Sequence, residues 1–576
     1  MKRLKVVLVG INSKYTHLNL AIRYLKAYTE DLDFQCIIKE FSVNDRLEKL
    51  LEEIIYEKPE IVAFSCYVWN KEIVKSLSEL IKIVNNDIEI LYGGPEVSFN
   101  GKEFLEDTKG DFLIEGEGEE TFKDFIKYKI YEKEKKPSYY NGINLDKITG
   151  LYYKKSGKIH YGGKKKNMDI NDVKFPYIYE ENLDNKIVYY EASRGCPYGC
   201  KYCLSSVDRN LRFRDIDKVK KELKNLIDKN VRLVKFVDRT FNCNEKFSIE
   251  IWEFLINQDS NTKFHFEISA NILTNNQVKI LSKSPKGRFQ FEVGVQTTNK
   301  EILHNINRIA DFAEVESKVR EIKSLNNISQ HLDLIAGLPG ENFNSFKKSF
   351  NEVFAIDPEE IQLGFLKILK GSPMELEKEK WGMKNSPYPP YEIVRTKDIS
   401  YEELLILKKV EAMVDKYYNS GKFSNILKYF NAKFQDYFEF YKELGLFFQE
   451  KGYFDRNISS SDYYKVFLEF NSEKLMEDNF DLREIIKYDY LMFNKKRWVP
   501  DFLERDLEKK WKKLINDKVL SCNNLNIDKN KIHIEKFNID ILLFTKVREI
   551  VRENRYIAFI EEGDFEVQDV TDIISE

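Results

Sequence analysis

Cysteine carries the chemistry that stands out in this sequence: seven residues, at 36, 66, 196, 200, 203, 243 and 522, of which three fall within eight positions. The string is Arg194-Gly195-Cys196-Pro197-Tyr198-Gly199-Cys200-Lys201-Tyr202-Cys203, a CxxxCxxC spacing directly after an apolar run. An odd count, in a chain expected to be cytoplasmic, is not a disulfide framework. Three thiolates on one loop can each ligate one iron of a cubane and leave the fourth iron open. A fully ligated electron carrier needs a fourth cysteine nearby, and none follows until Cys243. Zinc also wants four ligands, commonly two CxxC pairs or a CxxC with HxxxH. The spacing therefore favours a 4Fe-4S cluster on Cys196, Cys200 and Cys203, with one iron free to take a ligand.

Such a loop needs a scaffold. From 186 to 385 the runs IVYYEAS, VRLVKFVD, KFHFEIS, FQFEVGVQ, QHLDLIAG and IQLGFLKIL alternate with helical stretches such as KVKKELKNLIDK. Six βα units in about 200 residues predict a partial (β/α)6 barrel of TIM type, whose chemistry sits at the C-terminal ends of its strands. Polar residues stand at those ends: Cys196, Asp238, Glu267, Gln296 and Gly337. Residues 1 to 130 alternate in the same way, with KVVLVG, IVAFSCYVW, IEILYGG and DFLIEGEGE as strand runs. They predict an α/β, doubly wound, Rossmann-like domain with a parallel sheet.

Sheets of that kind bind ligands at their carboxyl ends, where glycine lets a ligand approach the backbone. Here the ends carry residues 12 to 19, Ser65 to Asn70, Gly93-Gly94-Pro95-Glu96 and Glu115-Gly116-Glu117-Gly118-Glu119. None is a GxGxxG fingerprint. The nearest string to a phosphate loop, Ser420-Gly421-Lys422-Phe423, lacks the first glycine and the hydroxyl. HExxH, GxSxG, EF-hand and kinase signatures are absent too.

Residues 131 to 185 are lysine-rich, with a KEKK run, Lys164 to Lys166, and one hairpin signal turning at Ser156-Gly157, and predict a linker with a small β element. Residues 386 to 576 read as a mainly helical, aromatic-rich domain, returning to strands at IHIEKFN and RYIAFIEE. At ~150 residues per domain, 576 residues suggest three or four domains. With 41 Phe and 33 Tyr against 25 Gly and 13 Pro, the chain is neither disordered, collagenous nor a coiled coil. Its 92 Lys+Arg and 95 Asp+Glu argue against a duplex-wide nucleic-acid footprint, which needs a clustered excess of cations, and Lys164 to Lys166 read as a solvated loop. No window approaches ~20 consecutive apolar residues, so neither a bilayer span nor a membrane partner is expected. MKRLKVVLVG reads as a first strand rather than a signal peptide, and a cytoplasmic location is the expectation.

CxxxCxxC after the first barrel strand, with an aromatic before the last cysteine, resembles the radical S-adenosylmethionine superfamily. A doubly wound domain ahead of that barrel resembles the superfamily's cobalamin-binding class, over about residues 1 to 385, and the remainder resembles the uncharacterised C-terminal extension of one clade. The resemblance implies a 4Fe-4S cluster, S-adenosylmethionine and cobalamin as cofactors. In that superfamily S-adenosylmethionine chelates the open iron, and an electron from the cluster cleaves it to a 5′-deoxyadenosyl radical. The resemblance further implies that Asp238 accepts from the methionyl amine, that Glu292 and Gln296 touch ribose or carboxylate, and that Gly337 in LIAGLPGE lies beside the adenine. Ser65, Gly93, Gly94, Glu117 and Gly118 fall where the cobalamin tail and corrin edge are received.

Members that coordinate cobalt from below carry DxHxxG after the first strand. Tyr15-Thr16-His17-Leu18-Asn19-Leu20 keeps the histidine without the Asp or the Gly, so His17 reads as a loop residue packing against the helix rather than as a lower ligand. The function implied is methylation of an unactivated carbon of an unknown substrate; the alternatives are cyclisation or rearrangement without methyl transfer, and a cofactor-binding sensor without turnover. A transfer-RNA methylthiotransferase resembles the barrel but carries three further cluster cysteines ahead of it, where this chain has only Cys36 and Cys66. A flavodoxin or ferredoxin reductase is the implied electron donor. No side chain is assigned to the chemical step itself.

Overall fold

The computed structural model describes residues 3–134, 144–178, 182–494, 499–503, 531–562 and 564–575. Cys522 and the Lys135-Lys136 end of the KEKK run lie outside the described residues. The chain forms two compact units, Met1–Ser345 with Phe365–Ser400, and Phe346–Gly364 with Tyr401–Glu576.

The first unit opens with a seven-stranded sheet made of β1 (Lys5–Asn12), β2 (Gln35–Ser42), β3 (Ile61–Ser65), β4 (Glu89–Gly93), β5 (Phe112–Ile114), β6 (Leu151–Lys155) and β7 (Lys158–Tyr161), in the order β2-β1-β3-β4-β5-β6-β7. β1 to β5 pair in parallel because helices cover both faces. Val7, Val9, Val62, Phe64 and Ile90 pack on one face against Leu50, Ile54, Val74 and Leu77. Val6, Leu8, Ala63 and Leu91 pack on the other against Ile22, Phe122, Phe125 and Ile126.

Two features differ from the sequence reading. β2 is an additional edge strand; its residues QCIIKEFS are mostly half-buried, so no continuous apolar run marks it. The hairpin turning at Ser156 and Gly157, with φ of 51° and 74°, is not an element of a linker: β6 pairs antiparallel with β5, extending the sheet. Between β1 and β3 the strand order reverses, which is where an open α/β sheet leaves a crevice at its carboxyl ends.

The barrel follows. β8 (Ile187–Tyr190) leads to a short antiparallel pair, β9 (Ser193–Arg194) with β10 (Arg212–Phe213). Then come β11 (Leu233–Phe236), β12 (Lys263–Ile268), β13 (Phe289–Gln296) and β14 (Ile328–Ala336), in the order β14-β13-β12-β11-β8 with every pairing parallel. A strand sends alternate residues to opposite faces. Phe289, Phe291, Val293, Leu332 and Leu334 are therefore fully covered, while Glu292, Gly294, His331 and Asp333 share the half-buried face, with Glu292 opposite His331 and Gly294 opposite Asp333.

The second unit is mainly helical, with Tyr401–Met413, Ser424–Asn431, Tyr437–Glu450, Asp462–Lys474 and Phe480–Phe493. Rings fill its core: Phe430 contacts Phe440, Phe467 and Phe470 at centroid distances of 5.4, 5.4 and 5.7 Å. A three-stranded antiparallel sheet, Ile532–Phe537, Arg555–Glu562 and Asp564–Asp569, closes the chain. Among the described residues no helix is long and apolar enough to cross a membrane.

Candidate active site

The cysteine loop is shaped by backbone constraints. Gly195 has φ of +93°, and a Cβ there would lie 2.6 Å from the Asn210 carbonyl oxygen, so only glycine fits. Cys196 N–H donates to the Asp208 carbonyl (3.2 Å), Lys201 N–H to Ile306 (3.0 Å) and Cys203 N–H to Cys200 (3.1 Å). Cys196 and Cys200 are buried and Cys203 is half-buried. Cys196 Sγ lies 3.7 Å from Thr240 Oγ1, and Cys200 Sγ accepts from Arg308 Nη1 at 3.8 Å. Burial pushes the Cys200 thiol up, and the Arg308 guanidinium opposes that shift. Among the described residues no three His, Cys, Asp or Glu side chains converge on a single-ion site. Thiolates that each hold a different iron need not converge, and three thiols on one loop, two of them buried and one beside a guanidinium, suit an anionic cluster.

Asp238, just past the end of β11, is engaged within the protein. Its oxygens accept from Ala192 N–H (3.0 Å) and Ser193 Oγ (2.5 Å), so it braces the turn that leads into the cysteines. Burial raises its carboxyl to about 7. Glu292 is also engaged: burial would raise it, but His265 Nε2 (2.9 Å) and Lys235 Nζ (3.0 Å) on the same oxygen hold it at about 2. Gln290 bonds His265 Nδ1 (3.1 Å) and His331 Nε2 (2.5 Å), and burial lowers His331 to about 4. Gly337, with φ of +84°, would place a Cβ 2.7 Å from Ile393, so packing explains that glycine.

Four buried polar atoms at this end of the barrel have no hydrogen-bond partner: Gln296 Oε1, Arg308 Nε, Asp333 Oδ1 and Glu341 Oε2. Leaving such atoms unpaired costs about 1–3 kcal/mol each, so their concentration marks a place for a polar ligand. Unpaired acceptors and a guanidinium nitrogen at one strand end suit the amine, carboxylate and ribose hydroxyls of S-adenosylmethionine. Gln296 sits at a β-bulge with φ of +70°. Burial raises Glu341 to about 8, and its other oxygen accepts from Thr297 Oγ1 at 2.7 Å. Asp333 is raised well above the carboxylate range by burial, then by Glu292 and Glu267. Sequence reasoning singled out Gln296 but missed Arg308, Asp333 and Glu341. For Asp333 the available signal was an acid interrupting an apolar strand, IAGLPGE carried Glu341, and nothing in the loop of Arg308 announces it.

The first sheet's carboxyl ends and the cysteine loop open onto one cavity of about 1080 Å³. Ser65, Gly93, Gly94, Glu117 and Gly118 all line it, and so do Arg194, Cys203, Lys235, Arg239 and Glu267. That volume suits a large flat ligand such as cobalamin, and a Cβ at Gly93 would meet nothing nearer than Ile114 at 3.9 Å. Gly94 differs: φ is +113° and a Cβ would lie 2.5 Å from the Cys66 carbonyl oxygen, so a close backbone crossing demands it.

Glu117 does not face the cavity as a free group. It takes Arg212 Nη2 at 2.5 Å and the Met168 N–H at 3.0 Å, and these hold its carboxyl below the usual range against burial. Arg194, two residues before Cys196, reaches Glu119 (2.5 Å), Glu191 (2.9 Å) and Glu117 (3.6 Å). His17 forms a bridge to Ile187 beside β8 and shares a hydrogen bond through Nδ1 with the Tyr189 hydroxyl at 2.9 Å. Burial, Lys14 and Lys235 lower its pKa.

Comparison with known proteins places this geometry. A family model described as "B12 binding domain" matches residues 6–126, one described as "Radical SAM superfamily" matches residues 190–353, and one described as "Protein of unknown function (DUF4080)" matches residues 379–559. The chain is similar to the cobalamin-dependent radical SAM methyltransferase TokK of Streptomyces tokunonensis, 23% identical over 435 residues, covering 71% of this chain and 62% of TokK. It thus spans about three fifths of that relative's length. Among solved structures it resembles TsrM, a radical S-adenosylmethionine methyltransferase from Kitasatospora setae with cobalamin and a [4Fe-4S] cluster bound, with a TM-score of 0.55, 16% identity, and 68% and 79% of the two chains covered. It also resembles the cobalamin-dependent S-adenosylmethionine radical enzyme OxsB with aqua-cobalamin and S-adenosylmethionine bound, with a TM-score of 0.56, 16% identity, and 91% and 82% covered. At such identity the structural likeness concerns the fold.

Proposed function

The chain belongs to the cobalamin-binding radical S-adenosylmethionine family, and from that premise we propose that it is a methyltransferase acting on an unactivated carbon, with a 4Fe-4S cluster, S-adenosylmethionine and cobalamin as cofactors. The observation that carries the proposal is the shared cavity, lined at once by the first sheet's glycine loops and by Cys203. Bound there, the cofactors supply the radical and methyl-transfer chemistry, and the protein supplies binding, orientation and dryness.

Cys196, Cys200 and Cys203 hold the cluster, and Arg308 balances thiolate charge. Gln296, Asp333 and Glu341 offer S-adenosylmethionine the hydrogen-bonding capacity that the protein leaves unused. Gly93 keeps the sheet's end open for cobalamin, and Gly94 lets that loop cross Cys66. Tyr67 and Trp69, stacked at 4.4 Å, give the same cavity an aromatic face. Asp238 keeps the loop ahead of the cysteines in place. The electron donor is a flavodoxin or ferredoxin, the location is cytoplasmic, and nucleic acid is not the substrate.

The test is an anaerobic reaction of the reconstituted protein with methyl-deuterated S-adenosylmethionine and extracts of the producing cell. Reductant-dependent release of 5′-deoxyadenosine together with a deuterated product supports the reading. Release of 5′-deoxyadenosine with an unlabelled product shifts it to cyclisation or rearrangement, and absence of both overturns it.

A further inference from the structure

Lys164 to Lys166, which read in sequence as a solvated loop, line a second cavity, of about 630 Å³, together with Tyr28, Glu120, Thr121, Lys123, Asp124, Lys127 and Thr149. Five lysines and two carboxylates give this lining an excess of three positive charges in a chain whose net charge is -3. Three of the lysines are matched: Lys123 with Asp31 (2.8 Å), Lys127 with Asp124 (3.1 Å) and Lys165 with Glu120 (3.0 Å). Among the described residues Lys164 and Lys166 form no ion pair, and both are exposed.

The loop is tied to the cysteines by two hydrogen bonds. Next to Lys166, Asn167 Nδ2 donates to Asp208 Oδ2 at 3.0 Å, and the carbonyl of the same Asp208 accepts from Cys196 N–H at 3.2 Å. Met168 is anchored as well, its N–H on Glu117 and its carbonyl accepting from Arg212 at 2.8 Å. Inside the cavity Thr121 Oγ1 is already committed, donating to Thr149 and accepting from Lys165. The uncompensated charge therefore lies with exposed lysines rather than among buried donors. That arrangement suits an extended acidic surface, drawn by long-range attraction, better than a closely coordinated small anion.

We propose that this lysine face is the docking surface for a small acidic one-electron carrier, which delivers its electron to the cluster on Cys196, Cys200 and Cys203. In the step the carrier is oxidised by one electron and the cluster is reduced by one, and no proton or group moves. The inference rests on the reading of those cysteines as cluster ligands.

The experiment uses the reconstituted full chain and purified flavodoxin, comparing wild type with Lys164→Glu/Lys166→Glu. Binding is measured by calorimetry across an ionic-strength series, and cluster reduction is followed by absorbance with either flavodoxin hydroquinone or dithionite. Two charge reversals on an exposed face are expected to weaken flavodoxin binding about tenfold at low salt and to flatten its salt dependence. Reduction by dithionite should stay at the wild-type rate. Equal affinity and equal salt dependence in the two proteins overturn the proposal, as does no measurable binding to wild type at low salt. It is also overturned if the variant loses affinity for inorganic pyrophosphate or a transfer-RNA mixture while keeping flavodoxin. Failure of dithionite to reduce wild type strikes the cluster assignment instead, and so separates the two readings.

Discussion

Arg308 shows how little of a site resides in its motif. It contacts Cys200 and the Tyr202 hydroxyl, donates to the Gly294 carbonyl, and still keeps Nε unpaired. Replacing Cys196, Cys200 and Cys203 together by Ala should remove iron and sulfide from the reconstituted protein, because the remaining cysteines offer no comparable loop; metal analysis near wild-type levels would refute it. The glycines separate by what a Cβ meets. Gly93→Val should fold normally and lower cobalamin retention at least tenfold, since its side chain enters open cavity, whereas Gly94→Val should fail to fold well through collision with Cys66. Retention of cobalamin by a well-folded Gly93→Val protein counts against the placement. Electron paramagnetic resonance of the cobalt(II) protein should show no nitrogen splitting from His17, because Tyr15 stands where the DxHxxG motif carries the Asp that orients its histidine; splitting lost in His17→Ala reverses that view. The cysteines were legible because ligands crowded on one loop leave a local spacing. Arg308 and Asp333 were not, since a loop brings the one to the site and strand register the other.

Elements were legible wherever burial is two-sided. β1 and β3 are continuous apolar runs because helices cover both their faces, and the barrel strands show the same logic on one face. β2 escaped because an edge strand needs only one covered face, and the hairpin's place in the sheet escaped because a turn signal says nothing of what its strands pair with. Caps supplied from a distance are equally silent in sequence. Asp489, on helix Phe480–Phe493, accepts from the backbone N–H groups of Asn425 (2.9 Å) and Ile426 (3.0 Å) at the start of helix Ser424–Asn431. Burial raises its carboxyl to about 7, above the ~3.9 of an unfolded chain. The folded state then binds more protons between those values, so this group's contribution is full below about pH 4 and is lost as pH rises through about 7. Thermal melts from pH 4 to 8 should show wild-type stability falling more steeply than that of Asp489→Asn, which cannot titrate. Parallel curves remove Asp489 as the cause.

At the scale of the whole chain, balanced charge conceals concentrated pairs, and the most consequential joins the first sheet to the barrel. Arg194 lies two residues before Cys196 yet reaches Glu119, 75 positions earlier, as well as Glu117 and Glu191. Sequence reading could assign Glu117 to the cobalamin region and Arg194 to the cysteine loop but had no access to their meeting, because register within one domain carries no information about the face another presents. Arg194 and Glu119 have only 13% and 6% of their side-chain surface exposed, so removing the cation strands carboxylates in a poorly solvated place. Breaking a buried pair from one side costs about 3–5 kcal/mol. Arg194→Met should therefore lower the melting temperature, but its distinguishing effect is on loading. The loop bearing Glu117 and Gly118 and the loop bearing the cysteines would both lose their common anchor, so cobalt and iron content should fall together. Gly93→Val should lose cobalt alone, and the cysteine variants iron alone. Metal analysis of the three proteins, each reconstituted in the same way, checks the pattern. If Arg194→Met keeps full cobalt while losing iron, the two loops are independently held and the network is an ordinary structural contact.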